Sequence, residues 1–443
     1  MELPEAFKIQ IKKLLGEEYN AFIQALHEES PVSVRFNPLK YGHKNPFENT
    51  EKVIWASHGY YLDKRPVFTL DPLLHAGVYY VQEASSMYLE QLIRQHIDQP
   101  VRILDLCAAP GGKSTLLSAV LPENSLLVAN EVIRSRAYIL AENLSKWGNS
   151  NTIVTNNDPA TLGKLNSFFD VIVADVPCSG EGMFRKDPAS IQEWSIGNVK
   201  LCAERQRRII ADIWPALKPG GILIYSTCTY NREENENNID WICLELGASI
   251  IEKPHRFFPH KTKGEGFFIT AIKKEEDEIS LHFSKGTKKT NSFCKSKTRI
   301  PEEIKSWVHN SHLFSFIEQN NLVTAFPSIH FESYEYLQKK LRIISAGISL
   351  GEIKGKSLIP DHNLALSNFF DSSSFPHLEL DRENALKYLR KDTLDNELFS
   401  ALPKGYIVIT YENQALGFIK NIGNRTNNLY PNEWRIRMRI DKE

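Results

Sequence analysis

The sequence predicts an α/β protein built on a mostly parallel sheet with helices on both faces. Three observations carry that reading. From residue 101 onward, short apolar runs alternate regularly with stretches of helical periodicity. Several of the runs end in small-residue or polar turns, among them Cys107-Ala108-Ala109-Pro110-Gly111-Gly112-Lys113. The longest helical stretch stops at Lys218-Pro219-Gly220-Gly221, and another apolar run begins at once.

The elements follow in order. Residues 5 to about 29 place Phe7, Ile11, Leu14, Leu15, Phe22, Ile23 and Leu26 at helical spacing. Val32-Ser33-Val34-Arg35-Phe36-Asn37 alternates like a strand and stops at Pro38. Residues 53–80 are aromatic and mixed, a small α/β lead-in, and Val81 to Met87 opens a helix running to about 97. Strands are expected at 102–106, 125–130, 151–155, 169–174, 220–228 and 266–272, with helices at 113–121, 134–147 and 198–217. The pattern breaks at Lys273-Lys274-Glu275-Glu276-Asp277-Glu278. A basic stretch with Lys285, Lys288, Lys289, Lys295, Lys297 and Arg299 follows, read as a linker that either is simply solvated or contacts RNA. The expected divisions are 1–80, an N-terminal α/β domain; 81–274, the core; 275–345, a basic linker and intermediate region; and 346–443, a further small domain.

Bulk composition narrows the function. A net charge of -1 means that any nucleic-acid partner is held by local basic patches. Cys107, Cys178, Cys202, Cys228, Cys243 and Cys294 show neither CxxC spacing nor a histidine cluster, so no metal is expected and the thiols read as reduced. The acidic amino terminus is unlike a signal peptide, and no apolar run is long enough to span a bilayer. The expectation is a cytoplasmic protein with no membrane partner.

A doubly wound sheet holds ligands outside the carboxyl ends of its strands. Strand 102–106 leads into Cys107, Ala108, Ala109, Pro110, Gly111, Gly112 and Lys113, whose small side chains let a ligand approach the backbone. Glu131 follows the next strand, where a ribose-diol acceptor belongs, and Asp158 follows the third, placed to accept from an adenine amino group. Either acid alone reads more simply as a helix cap. In register they favour a nucleoside site, without choosing between S-adenosylmethionine and a dinucleotide.

Two cysteines stand at the ends of later strands, in Asp175-Val176-Pro177-Cys178 and Ser226-Thr227-Cys228. A lone cysteine is ordinarily a small buried hydrophobe. These two are flanked by polar residues, Ser179-Gly180-Glu181-Gly182 and Thr229-Tyr230-Asn231, which favours chemistry. Two thiols beside a nucleoside pocket suit methylation of C5 of a pyrimidine. A thiolate must add to C6, an acid near N3 must take up the developing charge, and a base must remove the C5 proton. Asp175 is placed for the acid role.

The motifs Cys-Ala-Ala-Pro-Gly-Gly-Lys at 107–113, Asp-Val-Pro-Cys-Ser-Gly-Glu-Gly-Met-Phe-Arg at 175–185, and Ser-Thr-Cys-Thr-Tyr at 226–230 with Glu233-Glu234-Asn235-Glu236 closely resemble the NOL1/NOP2/Sun RNA cytosine-5 methyltransferases. The resemblance runs from Arg35-Phe36-Asn37 to about 274. Within that family the chain looks like the bacterial RsmF branch, which acts on ribosomal RNA and carries a PUA-like C-terminal part. Residues 359–366 and 430–437 resemble that part. The resemblance implies a Rossmann-like class I methyltransferase core over 81–274 with a small N-terminal α/β domain at 1–80 and a C-terminal PUA-like mixed α/β domain at 346–443, both RNA-binding. It implies S-adenosylmethionine as cofactor, contacted by 107–113, Glu131, Asp158 and Asp175. It makes Cys228 the nucleophile, where DNA cytosine-5 enzymes would point to Cys178, and gives Cys178 a part in product release. The implied partner is ribosomal RNA, 16S or the small subunit, with tRNA the alternative.

For holding RNA the candidates are Arg35, Asn37, Arg185 and Lys186, and a C-terminal face with Arg435, Arg437 and Arg439 on one side of an expected strand. Two rival readings fit the residues less well. An adenine N6 methyltransferase would need an aromatic residue where Cys178 stands. A ribosome-assembly factor without catalysis would need neither thiol.

Overall fold

The computed structural model describes residues 2–42, 45–276 and 300–438. Its centre is an eight-stranded sheet, ordered 248–257, 267–274, 217–227, 169–175, 102–105, 126–130, 152–155 and 343–346. The five strands from 217–227 to 152–155 run parallel. The outer three are antiparallel to their neighbours. The chain steps outward from 102–105 to 152–155, then returns to lay 169–175 on the other side of 102–105. Strand order therefore reverses between those two strands, which opens a crevice at their carboxyl ends.

The pairing follows from the side-chain period of two. Leu104 and Ile172 pack with Leu162, Ile210 and Ile239 on one face, whereas Ile103 and Val171 pack with Leu92, Leu116 and Leu117 on the other. Both faces are buried, as expected for strands that read as continuous apolar runs.

Every expected core strand is present, with ends shifted by a few residues, and two strands the pattern did not show are added. Ala248–Phe257 is an edge strand carrying Glu252, Lys253 and Pro254, and its register breaks between Glu252 and His255. Polar residues and a proline suit an edge and hide it from a search for apolar runs. Ile343–Ala346 has four residues and gains its identity by pairing with Thr152–Thr155.

The helix expected from Val81 is a correction. Tyr79–Val81 is a strand paired with Val34–Phe36, Ser85–Tyr88 is a 3-10 turn, and the helix spans only Leu89–His96. Glu83 explains the delay: its carboxylate accepts from the Ser85 and Ser86 N–H groups, competing with helical bonding.

At the amino end, helices Glu5–Leu15 and Tyr19–Leu26 pack Phe7, Ile11 and Phe22 against Phe184, Trp194, Tyr230 and Phe258. A four-stranded antiparallel sheet follows, ordered 51–52, 59–62, 32–36 and 79–81. The C-terminal region holds two more four-stranded sheets, over 314–360 and 377–428. Val34, Phe36, Leu73 and Tyr79 share one apolar cluster with Leu386, Tyr388, Ile407 and Ile419, joining the two ends of the chain.

The strand expected at Arg435–Ile440 is also corrected. After Pro431 the described chain turns irregularly, because the Ile436 N–H donates to Leu389 O at 3.1 Å and Ile436 is buried in that shared cluster. Arg435 and Arg437 remain exposed on either side of it. Arg439, the basic stretch Lys285 to Arg299 and Cys294 lie outside the described residues. Among the described residues no helix is long and apolar enough to cross a membrane.

Candidate active site

The crevice collects the ends of four parallel strands. Asp105 closes the first; it is fully buried, and its Oδ2 accepts from Ser114 Oγ at 2.7 Å. Burial pushes its carboxyl up to about 7. Its Oδ1 is buried and finds no hydrogen-bond partner among the described residues. Gly111, at φ +118°, turns the chain into the helix Gly112–Val120, a conformation that favours glycine. Ala108 and Ala109 pack against Ala129 and Leu140, which sets the turn close to the second strand. Cys107 also packs here, and burial pushes its thiol up, so it stays inert.

Glu131 is buried after the second strand; one oxygen accepts from the Ile133 N–H and the other lies 3.6 Å from Arg136. Arg136 also donates to Ala109 O at 2.8 Å and so ties the acid to the turn. Asn130 stitches the strand ends, donating to Leu106 O and Asn157 O and accepting from Thr155 Oγ1. Asp158 is exposed and caps the helix Pro159–Gly163 through the Thr161 N–H, which lowers its pKa. Asp158 thus serves as a helix cap, its second oxygen accepting from Thr161 Oγ1, and because it is exposed each oxygen keeps a lone pair open to a ligand. A ligand rich in donors, with an ammonium, ribose hydroxyls and an adenine amino group, suits this set of acceptors around a small-residue turn.

Asp175 links the crevice to the thiols. Its Oδ2 accepts from Lys113 Nζ at 2.7 Å and its Oδ1 from Ser226 Oγ at 2.7 Å. Burial acts to lower the Lys113 pKa, but the facing Asp175 carboxylate outweighs it and the net shift is upward. Beyond Asp175, the Cys178 and Cys228 sulfurs lie 3.1 Å apart, both half-buried. Two residues 50 positions apart in the chain meet because their strands are parallel neighbours, with Asp175 paired to Ser226. The hydrogen bond with Cys228, followed by burial, pushes the Cys178 thiol well above its ordinary value.

The loops that carry the sulfurs are bonded to each other. Gly182 N–H donates to Cys228 O at 2.8 Å, and Ser179 Oγ lies 3.2 Å from Thr229 Oγ1. Glu181 and Glu234, both fully buried, accept hydrogen bonds across the two loops. Among the described residues no group of three or more His, Cys, Asp and Glu side chains is arranged to hold a metal ion.

Three of the residues expected to touch RNA are instead internal. Arg35 is 2% exposed; its guanidinium bonds Gln82 Oε1, Gly112 O and Thr115 Oγ1 and lies over the Trp147 ring. Asn37 is fully buried and donates to Gly77 O and Trp147 O. Arg185 pairs with buried Glu265 at 3.1 Å and donates to Ala25 O and Gly264 O. Their donors are committed to protein, so a phosphate would find none free. Alternation on a strand gave no hint that the face bearing Arg35 is covered. Lys186 is exposed, as are Arg435 and Arg437. The sequence reading passed over Asp105, Asn130 and Arg136. An acid ending the first strand was the available signal for Asp105, and none pointed to Arg136.

A family profile described as 16S rRNA methyltransferase RsmB/F matches residues 93–273. Profiles for the N-terminal domain of 16S rRNA methyltransferase RsmF and for the methyltransferase RsmF PUA domain match 3–84 and 375–436. Ribosomal RNA small subunit methyltransferase F of Citrobacter koseri is 31% identical, over 97% of this chain and 96% of its own length. The same enzyme of Enterobacter sp. (strain 638) is 30% identical, over 97% and 95%. Among solved structures, a methyltransferase homolog protein from Pyrococcus horikoshii is 29% identical with a TM-score of 0.54, covering 61% of this chain and 95% of its own. NSun6 from the same organism, solved with SFG, is 22% identical with a TM-score of 0.54, over 62% and 99%.

Proposed function

The chain belongs to the family of ribosomal RNA small subunit methyltransferase F, 16S rRNA methyltransferases dependent on S-adenosylmethionine, and on that premise we propose that it methylates C5 of a cytosine through a bond between Cys228 and C6. The observation that carries this reading is the 3.1 Å approach of the Cys178 and Cys228 sulfurs beside Asp175. Neither an amino-group methyltransferase nor a binding factor needs that pair.

S-adenosylmethionine, when bound, supplies an electrophilic methyl group, and Asp105, Glu131, Asp158 and the 107–113 turn are the residues to hold it. Cys228 is the nucleophile. This reading keeps the proton shared by the two sulfurs on Cys178, whose thiol is pushed well above its ordinary value, and leaves Cys228 as the sulfur able to attack. Addition of Cys228 to C6 gives C5 the electron density to accept methyl. N3 takes up a proton passed from the Lys113 ammonium through the Asp175 carboxylate, 2.7 Å from it. Once Cys228 is a thioether it no longer accepts from Cys178, so Cys178 releases its proton to solvent, the one proton the overall reaction sets free, and as a thiolate takes up the C5 hydrogen. Loss of that proton, cleavage of the C6–sulfur bond and return of the N3 proton release the product.

A groove of about 1240 Å³ beyond the Cys178 turn, lined by Lys64, Arg65 and Lys186 together with Glu28, Glu29 and Asp63, is the candidate seat for the RNA backbone. These cations suit a phosphate backbone, while the target base leaves its stack at a cost of a few kcal/mol. Arg435, at the end of the matched PUA domain, and Arg437, just beyond it, offer a second basic contact.

With labelled cofactor and 16S rRNA, Cys228→Ala is expected to lose both methyl transfer and the covalent RNA adduct. Cys178→Ala is expected to accumulate the adduct on denaturing gels. An adduct retained by Cys228→Ala and lost by Cys178→Ala would reverse the roles, and label found elsewhere than C5 of cytosine would end the proposal.

A further inference from the structure

Two buried carboxylates reach across between the thiol loops. Glu181, three residues beyond Cys178, reaches into the loop beyond Cys228. Its Oε2 accepts from Thr229 Oγ1 at 2.7 Å and from the Tyr230 and Asn231 N–H groups at 2.8 and 2.9 Å. Its Oε1 accepts from Trp194 Nε1 at 3.0 Å and Gln10 Nε2 at 3.3 Å. Glu234, six residues beyond Cys228, reaches the other way. Its Oε2 accepts from the Ser179 N–H at 2.9 Å and Gln206 Nε2 at 2.7 Å, and its Oε1 from Asn231 Nδ2 at 2.7 Å. Both side chains are fully buried, and among the described residues neither makes an ion pair with Lys or Arg. Their charge is met by directed N–H and O–H donors, five of which belong to residues within three positions of a reacting cysteine.

We propose that Glu181 and Glu234 are positioning residues for methyl transfer, a reciprocal clasp that fixes the separation of the Cys178 and Cys228 sulfurs. The proposal rests on the reading of those sulfurs as the reacting pair. Each carboxylate leaves one cysteine loop and bonds the residue or residues next to the other cysteine, so moving either loop breaks bonds at both. Burying a carboxylate is costly unless every lone pair is met, and a clasp with the directed bonds seen here spends that cost on geometry rather than on net stability. Nucleophile and base must serve one pyrimidine ring in turn, and a displacement of about 1 Å costs on the order of 100-fold in rate.

The test measures sulfur approach apart from catalysis. Diamide takes one hydrogen from each of two thiols, becomes the hydrazine and leaves a sulfur–sulfur bond, so the rate of Cys178–Cys228 bridging, followed by peptide mass spectrometry, reports their proximity. Glu181→Ala and Glu234→Ala are expected to bridge at least about tenfold more slowly and to lose on the order of 100-fold in kcat, with the dissociation constant for S-adenosylmethionine within about twofold of the parent. Glu181→Gln keeps an oxygen for the Tyr230 and Asn231 N–H groups and is expected to restore most of both. Should Glu181→Ala fail to fold, Glu234→Ala and Glu181→Gln carry the comparison. Bridging at the parental rate in the alanine variants, or equal loss of cofactor binding and kcat, overturns the clasp. Methyl transfer that survives Cys228→Ala would instead overturn the catalytic reading, whatever the bridging rates.

Discussion

At the scale of single residues, the crevice holds an acid whose ionisation is coupled to folding. Asp105 titrates at about 7 in the folded protein, against about 3.9 when unfolded. Between those values the folded state binds more protons than the unfolded one. Stability of the cofactor-free protein therefore falls as pH rises through that window and levels off above it. Asp105→Asn removes the term, so its urea midpoints at pH 5 and pH 8 are expected to lie closer together than the parent's. An unchanged gap would assign the pH dependence to other groups. The two thiols show what the chain pattern held at this scale. Their strand-end positions were legible, because an apolar run followed by a polar turn marks a strand mouth. Their 3.1 Å approach was not, since it depends on which strands pair.

At the scale of elements, the turn after Cys178 is fitted against its neighbours with almost no spare room. A Cβ added at Gly182 would stand 2.5 Å from Gly266 O and 2.7 Å from Cys228 O, so backbone must move. Gly182→Ala is expected to cost about 1–3 kcal/mol, as overpacking does, and to slow methyl transfer by parting the two loops. Thermal denaturation and single-turnover kinetics measure the two effects, and a variant with parental values in both would show that the loops adapt. The elements misread in the sequence share a cause. Residues 82–88 have helical composition, but Glu83 bonds local N–H groups. Ala248–Phe257 is polar because it lies at the sheet edge, and Arg435–Met438 is held irregular by the burial of Ile436. In each case a side-chain bond or a neighbour outweighed local propensity.

At the scale of the whole molecule, one lysine joins three distant parts of the chain. Lys40 Nζ donates to Ala76 O at 2.9 Å, Lys146 O at 2.6 Å and Leu366 O at 2.7 Å, and burial pulls its pKa down to about 7. Lys40→Met leaves three carbonyls without that donor at about 1–3 kcal/mol for each one left buried and unmet. It is expected to lower the melting temperature well beyond Lys420→Met, whose parent residue only lies over the Tyr406 ring. Equal shifts would show that water replaces the ammonium. The shared apolar cluster alters another expectation. Deleting 346–443 removes Tyr388, Ile407 and Ile419 from the packing of Val34 and Phe36, so it should unfold the N-terminal sheet as well as weaken RNA binding. Amide exchange across 32–81 tests this, and parental protection there would show that the two ends are independent. The sequence by itself determined the alternating core, the small-residue turn at 107–113 and the two thiol motifs, because apolar period and turn chemistry are local properties. Tertiary structure alone decided that Arg35, Asn37 and Arg185 are internal ties, that the sulfurs touch, and that Glu181 and Glu234 bond across the loops. Those outcomes depend on which surfaces meet, and no local pattern encodes the far partner of a contact.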